Sequence, residues 1–122
     1  MDLTNGDIRI SFDFDDTLSL PSVQKVAKEL ITLGFDVIIV TSRRSDGENS
    51  DIQEVAQDLG IDSVFYTNYD LKFIYLHYLT CDIHIDNDRN ELIHLSRFSD
   101  IVGVDVTDES WEYELKNIFL CL

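Results

Sequence analysis

The sequence predicts an α/β domain: one five-stranded parallel sheet with helices on both faces. Three observations carry this. Short β-prone runs alternate with amphipathic helical stretches five times along 122 residues. One run, Phe-Asp-Val-Ile-Ile-Val at 35–40, is almost continuously apolar, as in a strand covered on both faces. The strands also end abruptly in polar and charged residues, where ligands gather in open parallel sheets. The expected arrangement is a single three-layer, Rossmann-like domain over residues 1–122.

Each element has a local justification. Residues 1–7 are a polar lead-in. Ile8, Ile10, Phe12 and Phe14 mark a first strand over 8–14. Pro21 suits a first helical turn, with Ser19 or Leu20 as the cap. Val23, Val26, Ala27, Leu30 and Ile31 then recur at helical spacing up to Gly34, which suits the position just past a helix end. The second strand covers 35–40. Ser50 with Gln53 reads as a capping box. Ile52, Val55, Ala56 and Leu59 make the stripe of a second helix that stops at Gly60.

A short third strand covers 63–66. Asp70 is the expected cap of a third helix, with Leu71, Ile74, Tyr75, Tyr78 and Leu79 on its inner face and Lys72 near its start. A fourth strand, 82–86, ends in acid. A helix over 87–98 turns Leu92, Ile93 and Leu95 inward. After a fifth strand, 101–106, Asp108 and Glu109 open a last helix, where acids suit the positive end of the dipole. Trp111, Leu115, Ile118, Phe119 and Leu122 form its buried stripe. Phe73, Tyr75, Tyr78, Trp111 and Phe119 are expected in the core or covering the sheet.

Composition narrows the function. The formal net charge is −15 with nine Lys and Arg. Such a field repels long nucleic acid and anionic membrane surfaces, yet leaves room for a local anion site. The acidic N-terminus has no secretory pattern and no apolar run reaches a membrane span, so a cytoplasmic protein is expected. Cys81 and Cys121 lack metal-ligand spacing and read as reduced core residues.

The chemistry gathers at the strand ends. The first strand ends in Asp13, Asp15, Asp16 and Thr17, and the second in Thr41, Ser42, Arg43 and Arg44. Lys72 follows the third. The fourth gives Asp86, Asn87, Asp88 and Arg89. Crowded carboxylates repel each other, and a hard cation such as Mg²⁺ would neutralise them. Arg43, Arg44, Lys72 and Arg89 lie at the same edge of a very acidic chain, which points to an anionic ligand. Tyr66, Asn68 and Tyr69 lie close by, and read as packing or as a platform for a ring. His84 shares a strand face with Asp86 and reads first as a packed strand histidine. His77 and Cys81 stand four apart with no further zinc ligand.

This order of motifs resembles the haloacid dehalogenase superfamily of phosphohydrolases, from Ile8 to about Val106. The first motif stands as Asp13-Phe14-Asp15-Asp16-Thr17, the second as Thr41, the third as Lys72 and the fourth as Asp86 with its neighbours. The resemblance implies that Asp13 is the nucleophile and Asp15 the general acid and base. It also implies that Thr41 and Lys72 bind phosphoryl oxygens, with Ser42 and Arg43 beside them. Mg²⁺ is expected on Asp13, the backbone carbonyl of Asp15, and Asp86. The family usually pairs two acids in the fourth motif; here Asn87 intervenes and Asp88 stands in for the second. Family members carry a cap domain between motifs. Here one helix and one strand fill each gap, so the chain looks capless. An open site suits a phosphorylated substrate, large or small, and fits a monomer or a homo-oligomer that closes the site.

Two rivals are distinguishable. A signalling receiver domain needs its phosphorylated Asp at the end of the third strand, where this chain has Tyr66-Thr67-Asn68. A catalytically weak member serving as a binding module is the alternative within the same resemblance.

Overall fold

The computed structural model describes residues 4–121; Leu122, expected in the last helix, lies outside the described residues. Five strands, β1 (Arg9–Phe12), β2 (Asp36–Thr41), β3 (Val64–Tyr66), β4 (Ile83–Asp86) and β5 (Val102–Asp105), form one all-parallel sheet in the order β3-β2-β1-β4-β5. Between and after them run α1 (Pro21–Thr32), α2 (Ser50–Leu59), α3 (Lys72–Tyr78), α4 (Arg89–Phe98) and α5 (Trp111–Cys121). Between β1 and β4 the chain runs only through the turn at 14–18, α1, β2, α2, β3 and α3. The order reverses at β1, so the carboxyl ends of β1 and β4 flank the topological switch point.

Strand alternation divides the core in two. Ile10, Phe12, Val37, Ile39, Ile83, Ile85 and Val104 face α1, α2 and α5, joined by Val26, Ala27, Ile52, Trp111 and Leu115. Ile38 and Val40 face α3 and α4, packed with Leu76, Cys81 and Leu95. That second face is thinner, and its central strands place fully buried Ser11 and His84 where apolar residues would otherwise sit. Asp13 continues the parity of Ser11, and Asp86 that of His84. Both acids therefore emerge on the α3–α4 side of the sheet.

Several local expectations are corrected. β1 ends at Phe12; residues 14–18 coil into a wide turn in which Asp16 adopts φ 56°. The Ser50–Gln53 capping box does not form, because Ser50 is already helical and Gln53 Nε2 donates to the Tyr66 hydroxyl at 3.0 Å. Asp70 does not cap α3; Leu71 holds that position. The apolar stripe expected of α3 is split: Leu71, Ile74 and Tyr78 are exposed, Tyr78 by 80%, Tyr75 and Leu79 are half-buried, and Lys72 and Leu76 are buried. On α4, Leu95 is buried and Ile93 exposed.

The end of α1 yields a direct test. Gly34 has φ +94°, with its N–H donating to Ile31 O and the Phe35 N–H to Leu30 O. A Cβ there meets nothing nearer than 3.8 Å, so the penalty for a side chain is conformational. Gly34→Ala is expected to lower stability by about 1 kcal/mol, a drop in Tm of roughly 4 °C on thermal melting.

Candidate functional site

The turn after β1 is wound so that three groups reach Asp13. Leu18 N–H donates to Asp13 O at 3.1 Å, closing the turn. That closure brings the buried Thr17 hydroxyl to within 3.1 Å of Asp13 Oδ2. From α3, Lys72 Nζ donates to Asp13 Oδ1 at 2.6 Å and to Asp86 Oδ2 at 2.8 Å. From the start of the β4–α4 loop, Asn87 reaches the other side of Asp13. Asp13, Lys72, Asp86 and Asn87 border an open polar pocket of about 240 Å³, together with Asp15, Asp16, Ser42 and Asp88.

The electrostatics separate the two buried acids. Burial pushes Asp13 up to about 6; Lys72 opposes that rise and Asp86 adds to it. Burial also acts on Asp86, but there the His84 ring N–H and Lys72 outweigh it and hold the carboxyl well below its usual range. The Asp88 N–H supplies Asp86 with another donor at 3.0 Å. Burial alone would lower the Lys72 ammonium, yet its two carboxylate partners raise it. His84 is held neutral by complete burial, despite its 2.8 Å bond from Nε2 to Asp86. The ionised Asp86 carboxylate can only accept, which places the ring proton on Nε2, so Nδ1 accepts from Ser11 Oγ at 2.7 Å. His84 is thus a partner of the site acid rather than sheet filling.

Asn87 lies among the acceptors of the site. One terminal atom of its amide lies 2.9 Å from Asp13 Oδ2, 3.1 Å from Asp15 O, 3.3 Å from Asp86 Oδ1 and 3.2 Å from the Thr17 hydroxyl. Among acceptors alone that atom is nitrogen, donating to them. No cluster of three His, Cys, Asp or Glu set for a metal occurs among the described residues. The Asp15 carboxylate is paired with Arg43, and its backbone carbonyl lies beside Asn87. Two carboxylates, a carbonyl and an amide still make the all-oxygen set that a hard cation takes.

The remaining expected residues divide. Thr41 is fully buried at the end of β2 and its hydroxyl accepts the Arg43 N–H at 3.3 Å, whereas Ser42 lines the pocket. Arg43 is not a free anion-binding group. Its five N–H donors are engaged by Asp15, Asp51 and the Glu48 carbonyl, and it lies over the Phe14 ring. Asp15 is paired with it at 2.6 Å and half-exposed. Arg44 pairs with Asp46, and Arg89 reaches Asp105 at 3.5 Å.

Asp88 lines the pocket, but Oδ1 caps α4 by accepting the Asn90 and Glu91 N–H groups at 2.9 and 3.4 Å. Asp88→Ala is expected to lose about 1 kcal/mol, while Asp88→Asn, an equally good cap, loses almost none. Equal loss in chemical denaturation of both variants would refute the capping assignment.

Glu91 was not evident from sequence. It is buried, and its Oε2 accepts the Lys72 N–H at 2.9 Å, giving α3 the acid at its N-terminus that Asp70 does not supply. An acid three residues after the Asp88 cap was the available signal, but it reads as a partner within its own helix. No protein-family model and no curated protein matches the chain.

Proposed function

We propose that the chain is a Mg²⁺-dependent phosphomonoesterase of the haloacid dehalogenase type, working through an aspartyl-phosphate on Asp13. The observation that carries this reading is Lys72. One buried ammonium bridges two buried carboxylates at the switch point of a parallel sheet, facing an open polar pocket. Such a charge pattern is costly as architecture and useful for holding an anion against a carboxylate.

Asp13, the Asp15 carbonyl, Asp86 and the Asn87 amide would hold Mg²⁺, which when bound neutralises phosphoryl oxygens approaching the carboxylates. Lys72 and Ser42 orient those oxygens, and the Thr17 hydroxyl fixes the rotamer of Asp13. An Asp13 oxygen forms a bond to phosphorus as the bond to the leaving oxygen breaks, and Asp15 gives that oxygen its proton. Water then attacks the same phosphorus, Asp15 takes its proton back, and the Asp13–phosphorus bond breaks. Inorganic phosphate and the free alcohol are the products.

One observation favours the weaker binding-module reading: Arg43 engages both oxygens of the Asp15 carboxylate in a bidentate pair. In the catalytic reading this pair opens when substrate enters. Phosphate release with Mg²⁺, its loss in chelator and its loss in Asp13→Asn test the proposal. Phosphate release that persists in Asp13→Asn would remove the nucleophile assignment.

A further inference from the structure

Beside the Asp13 pocket lies a second one of about 640 Å³, between the loop after β2 and the loop after β3; Arg43, Arg44, Asn49, Ser50, Asp51 and Tyr69 are among its lining residues. We propose that this pocket takes the leaving group, and that the leaving group is a nucleoside, so that the substrate is a nucleoside monophosphate. The inference rests on the phosphatase reading of Asp13.

Position comes first. Arg43 belongs to the wall of this pocket and is bound to Asp15. The pocket is therefore on the side of the residue that protonates the leaving oxygen, and whatever departs from phosphorus enters it.

The second observation is backbone strain. Asn68 and Tyr69 have φ of 53° and 70°, a left-handed region that bulky side chains rarely adopt. Three bonds to the β2 loop hold them there. Asn68 N–H donates to Arg43 O at 3.1 Å, Tyr69 N–H to Ser42 O at 2.7 Å, and Asn68 Oδ1 accepts the Ser45 N–H at 3.0 Å. Glycine would sit at position 69 without strain. The chain instead presents a tyrosine that is 74% exposed, with no core to fill. An exposed aromatic ring on a fixed backbone at the lip of a pocket can serve as a stacking platform.

Charge narrows the class. The Arg44 guanidinium, a second planar group on the wall, is tied only to exposed Asp46, a pair that solvent screens and a ligand exchanges readily. Glu48 and Asp51 also line the pocket, which disfavours a further anionic group on the leaving portion. A nucleoside is planar at its base, neutral and rich in hydrogen-bonding groups. The net charge of −15 favours a free nucleotide over the phosphorylated end of a strand.

The test compares a nucleoside 5′-monophosphate, ribose 5-phosphate and a short single strand with a 5′-phosphate, all with Mg²⁺. The expected kcat/KM for the mononucleotide exceeds that for ribose 5-phosphate at least about tenfold. Tyr69→Gly, which relieves the strain and preserves the turn, lowers that ratio about tenfold through KM; Arg44→Ala lowers it less. Equal rates for nucleotide and ribose phosphate, a preference for the strand, or an unchanged ratio in Tyr69→Gly would overturn the subsite. If no phosphoester is turned over, the phosphatase reading fails by itself. The pocket is then judged by calorimetry with the mononucleotide: binding that Tyr69→Gly weakens supports it, and absence of binding overturns it.

Discussion

Lys72→Met is expected to destabilise the protein by about 3–5 kcal/mol at pH 8, because it leaves Asp13 and Asp86 buried with no counter-charge between them. Methionine keeps the length of the side chain, so the loss is electrostatic rather than a cavity. The effect depends on pH with a defined sign. Burial raises Asp13 to about 6 in the folded protein, so acidification below that value protonates it and removes one of the two like charges. The destabilisation at pH 5 is therefore smaller than at pH 8. Urea melts of wild type and variant at the two pH values decide this; the same loss at both would mean that Lys72 acts through packing.

Asp13→Asn is expected to abolish phosphate release, by at least about a thousandfold, and to stabilise the fold. Asparagine keeps an oxygen for Lys72, and the Asn87 amide turns over to accept from the new NH₂ group. The sign follows from linkage. A carboxyl raised from 3.8 to about 6 binds its proton more tightly in the folded chain. The stability it contributes is complete below pH 3.8 and is lost as pH rises through 6. At pH 7.5 the wild type carries that loss, about 2–3 kcal/mol, and Asp13→Asn does not. Thermal melts in chelator should place the variant several degrees higher at pH 7.5 and level with wild type near pH 4. Added Mg²⁺ should stabilise the wild type and narrow the gap.

The sheet was legible in the sequence because its signals are periodic and local. Ile10 and Phe12 alternate, residues 35–40 run apolar, and each strand end is announced by a change to polar residues. Lys72, Asp13 and Asp86 were legible as a set because all three stand at strand or helix ends on one edge. The orientation of α3 was not. Its apolar residues suggest an inward stripe of Leu71, Ile74, Tyr75, Tyr78 and Leu79, yet Lys72 and Leu76 are the buried residues and Leu71, Ile74 and Tyr78 are exposed. The two carboxylates under Lys72 outweigh the burial of a few apolar side chains on a seven-residue helix.

Arg43, Asn87 and Glu91 were opaque for another reason. Their roles are set by where side chains meet across loops: Arg43 with Asp15 and Asp51, Asn87 with the Asp15 carbonyl, Glu91 with the first N–H of a different helix. No spacing within the chain encodes those meetings.

The hydrogen-bonded file from Ser11 through His84, Asp86 and Lys72 to Asp13 has an implication for how this sequence can drift. Each member is buried and donates to or accepts from its neighbours, so replacing one alone by an apolar residue leaves a polar group without a partner. Replacing several together by matched apolar residues removes the polar groups along with their partners. In a library randomised at these five positions and selected only for folding, surviving sequences should retain a hydrogen-bonded file, with Asp or Asn at position 13, or lose it as a block. Selection for phosphate release should admit only files that keep Asp13.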